Sequence, residues 1–230
     1  MRKYACILFI FGIFVSLLLI PAGCESVSEP AAQEDQIILW NGKDFTGWNL
    51  FTAEENIDVL DIWTAVDGVI HCTGKPNGYM RTENKYENYY LHVEWRWSDK
   101  PANSGILLHT TGPDKIWPRA IECQLKAGSA GDFVLMNGTG ITIDGENKQN
   151  SQQQYVVIPK KEQSSEKPAG QWNTYDIYCN ADSISCYVNG VLQNEGTAPT
   201  DTCGAICLQS EGGPIEFRHM YLVPLELLEK

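Results

Sequence analysis

The chain has 230 residues, 43% of them hydrophobic, enough for one domain with a substantial core and too few for a second full domain beside it. Its net charge of −12, from 29 acidic against 17 basic residues, opposes phosphate backbones and anionic lipid surfaces, and no basic stripe overrides that repulsion. Nucleic acid is thereby excluded as a partner, and a membrane can hold this chain only through an anchor.

The N-terminus supplies such an anchor. In "MRKYACILFIFGIFVSLLLIPAGC" two basic residues precede an almost unbroken apolar run from Ala5 to Ile20, and small residues lead up to Cys24. This is the pattern of an export signal, and the run falls slightly below the roughly 18 apolar residues that spanning requires. "PAGC" resembles a bacterial lipobox, in which Cys24 would be diacylated and become the new N-terminus, although Pro21 stands where leucine is usual. A plainly cleaved secretory signal is the alternative. The expected organisation is a lipoprotein signal peptide over 1–23, a flexible acidic tether over 24–36 ("ESVSEPAAQEDQ" after the cysteine) and a folded domain over 37–230. Such a protein is exported and lipid-anchored at the cell envelope, periplasmic or at the surface; its oligomeric state has no signal in the sequence.

From residue 37 onward, alternation with period two recurs, and only the tail "PLELLEK" offers a short helical period. Turn dipeptides are dense: Asn41-Gly42, Asp67-Gly68, Asn77-Gly78, Asn137-Gly138, Asp144-Gly145 and Asn189-Gly190. Such pairs tolerate the positive φ of tight turns, and between many short β-rich runs they predict a sandwich or barrel. The clearest strand is "YYLHVEWRW", with Leu91, Val93, Trp95 and Trp97 on one face and His92, Glu94 and Arg96 on the other. "GILLHT", "WPRAIECQL", "WNTYDIYCNADSISCYVNGVLQ", "GAICLQS" and "IEFRHMYLV" continue the alternation. Val93, Trp95, Ile121, Ile177, Val188, Ile206 and Phe217 are the expected core, and Trp40, Trp63, Trp95 and Trp172 are assigned to it among the tryptophans. The polar stretch from Gly145 to Gln171 is either a solvated insertion or a rim over a cleft. Six cysteines follow Cys24 in an order that matches no metal-ligand spacing; Cys123, Cys179 and Cys186 fall at core-facing positions, where small buried hydrophobes are at least as good a reading as disulfides.

The second face of these strands carries chemistry. Outward parity gathers Glu94 and Arg96, His109 if Ile106 and Leu108 point inward, Glu122 and Gln124, Gln209, and Arg218 if Phe217 is core. A curved sheet could collect them on its concave face as a sugar-sized cleft; alternatively, some form cross-strand ion pairs on a wet face. Glycosidases of the usual kind need two flanking carboxyl groups. Sandwich glycanases that carry them as Glu-x-Asp-x-x-Glu would place them at Glu122, Gln124 and Ala127, where the second and third acids are missing. No Gly-x-Ser-x-Gly elbow, His-Glu-x-x-His helix or phosphate loop is present.

Six motifs in order, "LWNGKDFTGWNLF", "YENYYLHVEWRW", "NSGILLH", "WPRAIECQL", "GQWNTYDIYCNADSISCYVNGVLQ" and "AICLQSEGGPIEFRHMYL", resemble the 3-keto-disaccharide hydrolase family from about Leu39 to Leu222. The resemblance implies an all-β, concanavalin A-like jelly-roll sandwich of two antiparallel sheets and cleavage of glycosides or disaccharides already oxidised at C3. One departure is Glu211, which stands where many members have histidine. In that chemistry the ketone acidifies the C2 proton, one base removes it, the C1 substituent leaves by β-elimination, and water adds back. On this basis Glu122 is the expected base and His109, Arg119 and Arg218 are candidate enolate or hydroxyl donors. Glu94, Arg96, Gln124, Gln209 and Glu211 are expected to bind substrate, with Trp117 stacking on a sugar face. No cofactor is assigned; a divalent ion acting as Lewis acid is compatible with the His and Glu present, but no ligand spacing calls for one. The rival readings are a non-catalytic carbohydrate-binding lipoprotein and a structural or adhesive surface module.

Overall fold

The computed structural model describes residues 36–149 and 154–225. The expected signal peptide, the lipidated Cys24, nearly all of the tether and the end of the "PLELLEK" tail lie outside the described residues.

The domain is a jelly-roll sandwich of two antiparallel sheets, one of ten strands and one of seven. The larger runs Glu146–Asn147, Thr142–Ile143, Val191–Thr197, Ser183–Val188, Asn173–Asn180, Tyr89–Trp97, Ile215–Pro224, Val69–Cys72 and Trp63–Val66, with Ile37–Ile38 also pairing with Ile215–Pro224. The smaller runs Tyr155–Ile158, Phe133–Met136, Arg119–Gln124, Gly105–Thr111, Ala205–Ser210, Gly78–Thr82 and Trp48–Thr52. Hairpin neighbours such as Asn173–Asn180 and Ser183–Val188 stay paired, while Tyr89–Trp97 lies between Asn173–Asn180 and Ile215–Pro224, so residues distant in sequence come to share a face.

Local chemistry explains the turns. Asp67-Gly68, Asp144-Gly145 and Asn189-Gly190 each close a two-residue hairpin with both residues at positive φ, the geometry that matches strand twist. Asn77-Gly78 behaves differently, because Gly78 opens the Gly78–Thr82 strand.

In Tyr89–Trp97 burial alternates strictly, and Leu91, Val93, Trp95 and Trp97 enter the inter-sheet core. All seven expected core residues are buried there, each large side chain contributing about 1.5–3 kcal/mol of transfer free energy. Trp40 and Trp63 join them, whereas Trp172 is only half-buried. Cys123, Cys179 and Cys186 are buried free thiols, and Cys203 is exposed while Cys207 is buried. The seven-stranded sheet departs from simple alternation: a second apolar cluster, Tyr79, Leu107, Ala120, Val134, Met136 and Cys207, covers the face turned away from the core. That face is therefore a lined surface and not a wet one.

Candidate functional site

Glu122 lies in the Arg119–Gln124 strand, between Gly105–Thr111 and Phe133–Met136 in the interior of the seven-stranded sheet. Ile121 and Cys123 go to the core, and Ala120, Glu122 and Gln124 to the opposite face, as the period requires. Glu122 is nevertheless only 3% exposed, and its Oε1 has no hydrogen-bond partner. The space it fills is created by a glycine: a Cβ at Gly105 would come within 2.2 Å of Oε1 and 2.6 Å of Cδ. Gly105 has no positive φ, so the backbone does not require glycine there. The carboxyl does.

Around Glu122 opens a cavity of about 390 Å³, within the range of small-molecule sites. On one side stand Asn103, Gln124, Lys126 and Glu211. Gln124 Oε1 accepts from the backbone N–H groups of Leu125 (3.1 Å) and Lys126 (3.0 Å), which leaves its NH₂ as a donor for a ligand oxygen. Burial pushes the Glu122 carboxyl up to about 8, and the charge of Glu211 adds to the shift. Burial also raises Glu211, partly offset by a hydrogen bond from Asn103 and by Lys126. Two carboxyl groups with raised pKa in one cavity are the arrangement expected where protons are moved. Ala127 is therefore no guide to the second acid; it comes from another strand's end.

The other expected site residues divide. Gln124, Trp117 and Glu211 line the cavity with Glu122. Gln209 shares the face but is 2% exposed beside it, not in it, with Oε1 unpartnered. His109 does not follow the expected parity: a register shift between Leu108 and Thr111, with His109 at φ 50°, turns the ring toward the other sheet. There it meets Tyr89 edge-on at 5.7 Å and Nδ1 lies 3.0 Å from the Asp201 carbonyl, and burial lowers its pKa. Arg119 pairs with Asp201 at 2.8 Å and donates to the Asn137 carbonyl at 3.0 Å, outside the cavity lining.

Glu94, Arg96 and Arg218 are on the wrong sheet for the expected cleft. Their strands belong to the ten-stranded sheet, and they occupy its outer face, with the whole core between them and Glu122. Arg218 pairs with Glu94 at 2.6 Å and Arg96 with Glu216. The two guanidinium groups lie 4.1 and 4.5 Å from the centroid of the Trp172 ring, which is why Trp172 is not core. Parity alone could not tell one sheet's outer face from the other's.

Val134, Met136, Tyr155 and Val157 also line the cavity, and the sequence reading missed them: branched and aromatic residues in short strands look like core. The stretch from Gly145 to Gln171 contributes Gln154, Tyr155 and Val157, so part of it is a rim. Among the described residues, no group of three or more His, Cys, Asp or Glu side chains is placed to hold a metal ion.

Comparison with known proteins gives this geometry a context. A family profile described as a 3-keto-alpha-glucoside-1,2-lyase-like domain matches residues 35–223. A 3-keto-disaccharide hydrolase of Bacteroides thetaiotaomicron is 28% identical over 170 residues, 68% of this chain and 56% of that protein, so the match spans little more than half of the relative. A Parabacteroides distasonis protein solved as a candidate glycosyl hydrolase superposes with a TM-score of 0.60 at 22% identity, covering 84% of this chain and 94% of its own. A Bacillus licheniformis β-glucanase (TM-score 0.54, 15% identity, 80% and 94% covered) and a carbohydrate binding module of Bacillus subtilis (0.52, 8%, 76% and 93%) share the sandwich. These likenesses to solved structures establish the fold alone, since the same sandwich serves in an enzyme and in a binding module.

Proposed function

We propose that this chain, which belongs to the 3-keto-alpha-glucoside-1,2-lyase-like domain family, cleaves the glycosidic bond of 3-keto-glycosides or 3-keto-disaccharides, with Glu122 as the base at C2. The observation that carries the proposal is the sealed Glu122 carboxyl, raised to about 8 beside a sugar-sized cavity. A carboxylate held at that acidity is a stronger base, once ionised, than a solvated one. It takes the proton from C2, whose electrons pass into the C3 carbonyl as an enolate. The enolate then expels the C1 oxygen, which leaves as an alcohol after gaining a proton, and a C1=C2 bond remains. Addition of water across that bond, hydroxyl to C1 and proton to C2, gives the free 3-keto sugar, so the two steps together amount to hydrolysis. The Gln124 NH₂, free because its Oε1 is held by backbone N–H groups, is a donor for an oxygen that gains charge, and Lys126 adds a cation to the lining. Glu211, whose pKa burial raises from the ordinary value, is the second such carboxyl of the cavity and the candidate to pass a proton to the leaving oxygen.

The test is incubation with 3-keto-trehalose and 3-keto-sucrose beside the unoxidised sugars. Turnover of the keto sugars alone, with deuterium at C2 of the product formed in heavy water, supports the elimination route. Direct hydrolysis at C1 would leave C2 unlabelled, and binding without turnover would favour a carbohydrate-binding role.

The same proposal extends to location: Cys24 carries the lipid that holds the enzyme at the cell envelope. Cys24→Ala would then release the protein from the membrane fraction or leave its precursor unprocessed; a wild-type N-terminus without lipid by mass spectrometry would count against it.

A further inference from the structure

The cavity has two chemistries, and Glu122 stands at their border. Across one strand boundary its register partner is Val134, whose own partner is Val157; one row away, Ala120, Met136 and Tyr155 are matched in the same way. Val134, Met136, Tyr155 and Val157, with Trp117, therefore form a continuous apolar side. On the other side stand the amides and charges of Asn103, Gln124, Lys126 and Glu211, with Ser129 and Asp132 also in the lining, and Gln154, next to Tyr155, is a polar residue at the edge of the apolar side.

Two features show that the apolar side is not there to hold the fold together. Tyr155–Ile158 is the terminal strand of its sheet, already secured from its other face by Val156 against the core and by the buried Ile158. Yet it leaves Tyr155 58% and Val157 47% exposed. Exposed hydrophobics on an edge strand invite wrong pairing, and folded proteins commonly place charge or proline there. Their contact surface is open beside the reacting carboxyl, where a substrate part would cover it.

We propose that this apolar side receives the leaving group, and that the leaving group is an apolar alcohol, a phenol or an alkyl alcohol, in preference to a second sugar. The inference rests on the reading of the site as a 3-keto-glycoside-cleaving centre. The oxidised ring, with hydroxyls on every edge, belongs against the polar side, where donors and acceptors meet it. A second hexose on the other side would turn most of its hydroxyls to Val134, Met136 and Val157, with the Gln154 amide at the edge as the polar residue of that side, an unfavourable exchange. An alkyl chain or aryl ring loses nothing there, and the rings of Tyr155 and Trp117 offer flat apolar contact.

The experiment uses the full chain with 3-keto methyl, butyl and hexyl glucosides. The butyl and hexyl leaving groups are nearly equal in basicity, so a difference between them reports contact and not leaving-group chemistry. We expect kcat/KM to rise at least twofold for each added methylene, toward the roughly fourfold that complete burial of a methylene gives, and to exceed the value for 3-keto-trehalose. Val157→Asn, at a half-exposed position of the edge strand, should reduce the hexyl-to-butyl ratio while its melting temperature shows that it folds. Equal rates along the series, or a faster 3-keto-disaccharide, would overturn the proposal.

Should none of the keto substrates be turned over, the reading of the reaction fails while the ligand wall is still measurable. Isothermal titration with unoxidised butyl and hexyl glucosides then decides: affinity rising with chain length and lost in Val157→Asn upholds an apolar ligand side, and equal affinities reject it. A dimer in sedimentation that Val157→Asn dissociates would also reject it, because the patch would then be an interface between copies.

Discussion

Glu94 and Glu122 occupy equivalent places on the two halves of the sandwich, each facing away from the core in an interior strand, yet their chemistry is opposite. Burial alone would raise Glu94, but His219 at 3.0 Å and Arg218 at 2.6 Å bring its pKa below the ordinary value. Glu122 has no such cation; burial and a second carboxylate drive it up to about 8. The outer face of the ten-stranded sheet is a lattice of satisfied charges: Glu216 sits with Arg96 and His71, and Asp176 is 2.7 Å from His92. The outer face of the seven-stranded sheet is apolar and leaves buried acceptors on Glu122, Gln209 and Asn103 without partners. Paired charges at a wet surface contribute little and do no chemistry. An unpaired buried carboxyl costs stability and is kept where it has work to perform.

Substituting the two glutamates separates the faces most sharply. Glu122→Gln should lose about 10²- to 10⁴-fold in kcat, the usual cost of removing a positioned base, while Glu94→Gln should retain wild-type turnover of the same keto sugar. If Glu122→Gln kept near-native rates, the base would have to lie elsewhere, and Glu211 in the same cavity would be the first residue to examine.

The stabilities of those variants should move in opposite directions. Because the Glu122 pKa is about 8 in the fold and ordinarily near 4.5, the native state holds a proton that the unfolded chain has lost between those values. Native stability then falls as pH rises from 4.5 toward 8, by up to about 1.4 kcal/mol per pH unit, and is flat outside that window. Glu122→Gln removes this loss, so its melting temperature should exceed wild type by a margin that widens between pH 5 and 8. A margin independent of pH would mean that the carboxyl is not buried in its protonated form. The same titration should appear in kcat/KM as a limb that rises with pH toward about 8; a falling limb would make Glu122 an acid instead.

Gly105→Ala probes the niche itself. The added methyl overlaps the Glu122 side chain, so it should destabilise by about 1–3 kcal/mol, as overpacking does. Placed on Glu122→Ala, which empties the niche, the same change should be neutral or stabilising. Equal costs in both backgrounds, by chemical denaturation, would show that Gly105 does not act through Glu122.

The smallest effect is expected on the charged face. Trp172→Ala removes the ring between Arg96 and Arg218, and half-buried contacts of that kind are worth about 0.5–1 kcal/mol each. Activity should be unaffected, and a tenfold loss would tie the two faces together.

How much of this was legible beforehand follows from what strand periodicity encodes. Parity put Ile121 and Cys123 in the core and Glu122 and Gln124 on the opposite side, and hairpin dipeptides such as Asn189-Gly190 marked the turns, because both properties are local to the backbone. Parity failed at His109, where one irregular residue in the pairing reverses the face. It also could not assign Glu94, Arg96 and Arg218 to a sheet, since strand order is a long-range property. Val134, Met136, Tyr155 and Val157 escaped notice because composition does not distinguish an apolar residue packed in a core from one lining a cavity.

By itself, then, the sequence determined that the chain is built of short antiparallel strands, which side chains alternate inward, and that "WPRAIECQL" carries a single carboxylate on the face opposite the core residues, all consequences of spacings of a few residues. Only the tertiary structure decided that Glu122 is sealed over Gly105, that Glu211 joins it from a distant segment, and that the arginines of the other sheet are out of reach. Acidity, burial and encounter depend on what strands far apart in the chain bring within a few ångströms, and no spacing along the chain records that.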